Sequence, residues 1–226
     1  TAIIAHIVFA YTNTLYSRYQ ADRDRLSELF STMMGIIFRG SAFVALLLLA
    51  NAYEVMALLK TEWAAAAPMM VWLAGYAFLR PLFDDGIGLL WAVGDTRRTA
   101  RIMGAQALVA LLIVPAAILW KGVEGLAYSM GVVAAIGVGG VFIGLKRYVN
   151  IAWRRVFAGP LFALVLAIFG NGVYNHIFNF PWWVDLILRS GILLVIYVGT
   201  LWLLEREAIA ANWKQLRHVL REEDNT

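Results

Sequence analysis

The sequence predicts an all-α bundle of about seven transmembrane helices, and three observations carry that prediction. Apolar residues make up 62% of the 226 residues and charged residues only 15%, against about 45–50% and about 25% in average globular chains. The apolar residues fall in continuous runs of about 20, the length of a helix crossing roughly 30 Å of hydrocarbon. A membrane-spanning barrel would show short segments of strict alternation instead. Finally, the gaps between runs are alternately rich and poor in Lys and Arg, as loops on opposite sides of a membrane are.

Seven segments are predicted, at about 1–16, 28–50, 64–91, 99–120, 122–145, 156–176 and 183–204. The chain opens on Thr1, inside an apolar stretch and without an initiator Met. The first segment is therefore expected to be truncated, and the chain to be the C-terminal part of a longer protein. The polar gap Tyr16–Leu26 follows, and Ser27 with Glu28 is expected to open the second helix. The third segment is long enough to tilt or protrude, and Pro81 inside it opens the backbone ladder. Gly140 and Gly144 in the fifth segment, and the pair Gly125 and Ser129, are small residues at a spacing that lets helices approach closely. Packing within this chain is the favoured reading of both pairs, over a dimer interface. Past the seventh segment, Ile209, Trp213, Leu216 and Leu220 recur at helical spacing with Lys214, Arg217 and Arg221 between them, which predicts an amphipathic surface helix. Residues 1–148 are thus read as a first unit, 149–204 as an additional pair of spans and 205–226 as a cytoplasmic tail.

The bases orient these segments. Arg18, Arg23 and Arg25 follow the first segment, Arg97, Arg98 and Arg101 the third, Lys146, Arg147, Arg154 and Arg155 the fifth, and Arg206, Lys214, Arg217 and Arg221 the seventh. The intervening gaps hold only Lys60 and Lys121. The basic gaps, and with them the C-terminus, are expected to be cytoplasmic. Trp63, Trp120, Trp182 and Trp183 then fall at the outer boundary and Trp91, Trp153 and Trp202 at the inner one, where indole rings favour headgroup depth. The net charge of +4 is explained by these loops, so no nucleic-acid partner is expected.

Of the 19 Lys and Arg, only Arg39, Arg80 and Arg189 lie inside segments. A charge near a helix centre costs at least about 2.5–3.5 kcal/mol on insertion scales, so it faces a bundle interior or a wet cavity. Arg39 is a candidate cavity cation for an anionic substrate, or a structural Arg paired with an acid on another helix. In Arg80-Pro81-Leu82-Phe83-Asp84-Asp85, Arg80 and Asp84 are four apart and share a face, while Asp85 points one step around. Arg80 is the second candidate for substrate binding. Asp84 and Asp85 are candidates for ion or proton coupling. Alternatively, Arg80 and Asp84 neutralise each other so that the helix inserts. Asp185 and Arg189, also four apart, suit a structural ion pair. His6 and His176, the latter between Asn175 and Asn179, are read as packing or surface residues rather than a proton relay.

Enzyme chemistry has little to use here. The chain has no Cys and three scattered His, and it lacks the zinc-protease, nucleophile-elbow and phosphate-loop motifs. No catalytic residue, metal centre or cofactor is expected.

The third to fifth segments carry a resemblance. Lys60-Thr61-Glu62-Trp63, Ala64–Ala67 and Pro68 lead through a long span to Leu89-Leu90-Trp91-Ala92-Val93-Gly94-Asp95-Thr96-Arg97-Arg98, and the next span ends at Lys121-Gly122-Val123-Glu124-Gly125-Leu126-Ala127. This resembles the C-terminal half of the polysaccharide-transporter flippases, the O-antigen and exopolysaccharide exporters of the multidrug/oligosaccharidyl-lipid/polysaccharide superfamily. Those proteins have a Gly–basic turn after the tenth helix and a Gly-x-x-Gly-x-Ala turn at the twelfth. The polar stretch with Ser17-Arg18-Tyr19 is similar to the link after their eighth helix. The resemblance covers most of residues 1–148, and over the last two spans it is one of topology. It implies one lobe of a two-lobed exporter plus an extra C-terminal helix pair, in the bacterial inner membrane. It also implies transport of a polyprenyl-pyrophosphate-linked oligosaccharide for surface polysaccharide synthesis. The implied partners are that lipid-linked substrate, membrane lipids, the N-terminal half of the same transporter and a polysaccharide polymerase. Arg39 and Arg80 are the positions that would meet the pyrophosphate or acidic sugars. The alternatives are a cation-coupled multidrug exporter of the same superfamily, with Asp84 or Asp85 as coupling site, a membrane-embedded glycosyltransferase or ligase using Glu54, Glu62, Glu124 or Asp185, and a structural membrane subunit.

Overall fold

In the computed structural model, the described residues are 12, 14–59, 61–178 and 180–223, with side chains described to residue 206 except that of residue 61. Among them there is no strand, and the chain is an all-α bundle. The end of the first segment, residues 14–18, is helical and turns at Tyr19–Gln20. Helix α1 (Arg23–Ala50) follows, then the short α2 (Ala52–Leu59), a 3-10 turn (Thr61–Ala66) and α3 (Ala67–Ala92). Next come α4 (Thr96–Leu145), a π-helical turn (Arg154–Ala158), α5 (Gly159–Ile177) and α6 (Trp182–Glu223).

Helix α1 begins earlier than its expected start at Ser27. Asp22 caps it, its Oδ1 accepting the backbone N–H of Asp24 at 3.2 Å and of Arg25 at 3.1 Å. Asp24 adds a negative charge to the first turn, where the helix dipole favours one. Ser27 sits inside the helix instead. Its hydroxyl donates to the Arg23 carbonyl at 2.6 Å and accepts from the Asn150 N–H at 2.9 Å. Ser31 accepts from the Ala152 N–H at 3.3 Å, so two α1 hydroxyls hold down the basic loop after α4.

At about 1.5 Å per residue, the 50 residues of α4 would reach far beyond a bilayer. The helix does not run straight. It breaks at Lys121 (φ −130°, ψ 15°) and Gly122 (φ 60°, ψ −138°). The arms on either side fold together as antiparallel neighbours. Gln106 donates to the Val133 carbonyl at 3.2 Å and Arg98 to the Gly144 carbonyl at 2.8 Å. Those contacts match residues whose numbers rise on one arm and fall on the other. The fourth and fifth predicted segments are therefore two antiparallel helices joined by a turn at Gly122, whose φ is positive. Five described helices are long and apolar enough to cross a membrane, α4 counting as one of them. Each arm of its hairpin is by itself about as long as a crossing needs, and residues 1–11 of the expected first span lie outside the described residues.

Helix α1 lies between two groups. Toward the basic end it packs on α3, which in turn packs on α4, and Phe30, Met34, Phe38, Leu82, Phe83, Val138 and Val141 share one core. Its second half packs on α5 and α6 through Ala42, Leu46, Ala163, Ala167, Leu193 and Tyr197. Lipid tails are as apolar as these side chains, so close van der Waals fit rather than water exclusion holds such contacts. Gly86 of α3 shows the fit, because a Cβ there would run into Val141 of α4. Gly140 and Gly144 likewise lie under Ile102 and Arg98 of the other arm, which makes that pair an intramolecular contact. Helix α6 continues past the expected span end to Glu223. The apolar and basic side chains of that tail, and His6, lie outside the described residues.

Candidate functional site

Helix α3 places the charged sequence at mid-span, and its turn angle sends the three charges two ways. Arg80 Nε donates to Asp84 Oδ2 at 3.0 Å, and the guanidinium lies 5.6 Å from the Phe83 ring centroid. Tyr76, one turn earlier on the same face, is close enough to interact with Arg80. The Arg80 and Asp84 side chains are 49% and 43% exposed, so this Tyr76–Arg80–Asp84 stripe faces out of the described bundle. Helix α3 runs through Pro81 without ending, although the ring removes one ladder N–H.

Asp85, one step around, is buried at 4% exposure. The Tyr16 hydroxyl, itself fully buried, donates to both of its carboxylate oxygens at 3.0 and 3.2 Å. Asp84 and Asp85 thus do different jobs despite being adjacent. One neutralises Arg80 on the open face, and the other ties the end of the first segment to α3. The Tyr16 partner lies 69 residues away, and no sequence pattern marks it.

Arg39 is elsewhere. Its Nε and Nη2 donate to Glu205 Oε2 of α6 at 2.8 and 2.6 Å, and Nη2 reaches the Arg155 carbonyl at 3.4 Å. Tyr197 of α6 donates its hydroxyl to the Arg39 carbonyl at 3.0 Å. Both charged side chains are largely buried, so Arg39 is a cross-link between α1 and α6. Of the two readings open for Arg39, the geometry gives the structural one, and Arg39 and Arg80 do not share a site. Gly159 makes room for the pair, since a Cβ there would strike the Glu205 carboxylate.

A second polar network closes the far end of the bundle. Arg189 pairs with Asp185 as the spacing predicts. It also donates to Glu54 Oε1 at 2.9 Å and to the Ala50 carbonyl at 2.7 Å, and Tyr174 donates to Asp185 at 2.7 Å. The contribution of Glu54 was not legible in the sequence, because α2 turns back against α6 only in the folded chain. His176 is exposed at the end of α5. The seven Trp residues expected at the membrane boundaries are exposed as well.

At the basic end, Asp95 caps α4 through the Arg98 N–H at 3.1 Å and accepts the Tyr148 hydroxyl at 2.7 Å. The Tyr148 bond, with the Arg98 N–H and the charges of Arg98 and Arg147, holds the Asp95 carboxyl below its usual range and keeps it ionised near neutral pH. The same bond raises the Tyr148 hydroxyl. Contacts across this end tie three basic gaps together. Arg23 donates to the Lys146 carbonyl at 3.4 Å and to Asn150 at 3.2 Å, while Asp95 and Tyr148 join the third gap to the fifth.

No protein-family model, curated protein or solved structure matches this chain.

Proposed function

We propose that this chain is one lobe of a membrane transporter that moves a polyprenyl-pyrophosphate-linked oligosaccharide across the bacterial cytoplasmic membrane, with its basic loops and C-terminus on the cytoplasmic side. The observation that carries this reading is the half-exposed Tyr76–Arg80–Asp84 stripe at the middle of α3. Two charges at that depth cost several kcal/mol if they meet lipid, so the stripe faces a wet cavity or a facing lobe. Arg80 is the group that meets an anionic substrate. Its fork of N–H donors suits a phosphate oxygen, and only one of its bonds is spent on Asp84. The resemblance of residues 60–127 to polysaccharide exporters supplies the substrate class, and rocking of two lobes around the stripe is the mechanism.

A second reading, a cation-coupled drug exporter, draws on Asp85, a buried carboxylate whose hydrogen-bond partner is a phenol. The ligase reading has fewer acids to use, since Glu54 and Asp185 are both bound to Arg189. Export assays on Arg80→Ala, Asp84→Ala and Asp85→Asn in the native host separate these. The flippase reading expects Arg80→Ala to reduce surface polysaccharide about tenfold or more, with lipid-linked intermediate accumulating and protein level unchanged. That loss corresponds to one charge-assisted contact of about 1.5–3 kcal/mol. Normal polysaccharide in Arg80→Ala and Asp84→Ala, with export lost only in Asp85→Asn, would favour the coupled exporter instead.

A further inference from the structure

The two arms of α4 leave a groove between their basic ends. Val93, Gly94, Asp95, Arg97, Arg101 and Tyr148 line its upper part, a cavity of about 350 Å³. Arg98, Arg101 and Arg147 are shared with a second cavity of about 510 Å³, which continues down the hairpin over Ile102, Gly140 and Ile143. Lys146 closes the rim. Five cations therefore surround one acid, and that acid is already engaged. Asp95 is held by Tyr148 and by the cap of α4, and it pairs with Arg98 at 3.4 Å.

Arg98 is the fixed member of this set. It donates to the Gly144 carbonyl at 2.8 Å and lies 5.7 Å from the Tyr148 ring centroid, so it forms the floor. Among the described residues no carboxylate forms an ion pair with Arg97, Arg101, Lys146 or Arg147, and all four are exposed. The lower wall is apolar, and Ile143 is 72% exposed on the outer side of the hairpin. At Gly140 and Gly144 the arms approach closely, and the Ile102 side chain and the Arg98 stem pack directly over the two glycines to form the bottom of the groove.

We propose that this groove binds an anionic membrane phospholipid, with its phosphate among Arg97, Arg101 and Arg147 and an acyl chain along Ile102, Gly140 and Ile143. A basic pocket between transmembrane helices holds phosphate headgroups. The apolar continuation favours a lipid over a soluble phosphate, because a free ion has no use for the lower wall. The site lies on the outside of the hairpin and does not rest on the transport reading.

Native mass spectrometry of the full chain, purified in detergent, tests this with dioleoyl phosphatidylglycerol as probe. Dioleoyl phosphatidylcholine and inorganic pyrophosphate are the comparison ligands. The expected result is retention of phosphatidylglycerol in preference to phosphatidylcholine. Arg97→Gln/Arg101→Gln/Arg147→Gln should weaken it about a hundredfold, at about fivefold per base near a charged membrane surface. Arg154→Gln/Arg206→Gln, which removes exposed bases outside the groove, should leave retention unchanged. The single variant Arg101→Gln, with its thermal unfolding checked against the parent, keeps the test valid if the triple variant fails to fold. Equal retention of phosphatidylcholine, unchanged phosphatidylglycerol binding in folded Arg101→Gln, or displacement of the lipid by equimolar pyrophosphate would each overturn the proposal.

Discussion

Glu205 lies inside α6 with its carboxylate largely buried, and Arg39 is the cation that neutralises it. Both oxygen-directed bonds from Arg39 fall on one carboxylate oxygen, and the two side chains are 16% and 10% exposed. Replacing Arg39 by Met leaves that carboxylate largely buried without a cation. Removal of one partner of a buried pair costs about 3–5 kcal/mol, while an apolar replacement of both is often neutral. Thermal unfolding in detergent is thus expected to fall sharply for Arg39→Met and to recover in Arg39→Met/Glu205→Met. A double variant as unstable as the single one would show that the ion pair itself, and not the stranded charge, matters. Arg39 was legible in the sequence as a charge needing a partner, since its depth alone makes it costly. Glu205 was not legible as that partner, 166 residues away, because the pairing depends on which face of α6 meets α1.

The hairpin of α4 is the element on which the count of crossings turns. Its reversal is concentrated in two residues, and Gly122 holds φ 60° with ψ −138°, a region that side chains with a Cβ avoid. Nothing lies within 4 Å of a Cβ built there, so strain rather than crowding decides the outcome of a substitution. Gly122→Ala is expected to destabilise the chain by about 1–3 kcal/mol, measured as a lower unfolding temperature. Gly104→Ala, in the exposed interior of the first arm, is expected to be neutral or stabilising, since alanine is the better helix former. A neutral Gly122→Ala would mean that the turn is not the constrained point. The break was visible in the sequence as a short Lys-Gly interruption between two apolar runs, each long enough to cross. The antiparallel register of the arms was not visible, since it rests on contacts such as Gln106 to Val133.

For the whole molecule, the alternation of bases becomes a geometric fact, because the basic gaps after the first, third and fifth segments come together at one end. The sidedness of that end is testable without background, since the chain has no Cys. Single cysteines at Arg97, Lys146 and Lys121 are expected to react with a membrane-impermeant maleimide in opposite ways. Lys121→Cys should label in intact spheroplasts, and Arg97→Cys and Lys146→Cys only after the membrane is opened. Labelling of all three in spheroplasts would refute the orientation. The all-α class and the apolar helices long enough to cross could be read from composition and run length, because a bilayer acts on each segment locally and demands about 20 apolar residues wherever a chain crosses. The roles of the charges inside those segments could not. Asp84 and Asp85 are neighbours in the chain, yet one lies on an open face and the other is buried against Tyr16. A helix advances each side chain about 100° around its axis, so adjacent residues meet different surroundings. Those surroundings come from segments far away in the chain, which only tertiary packing brings to the site.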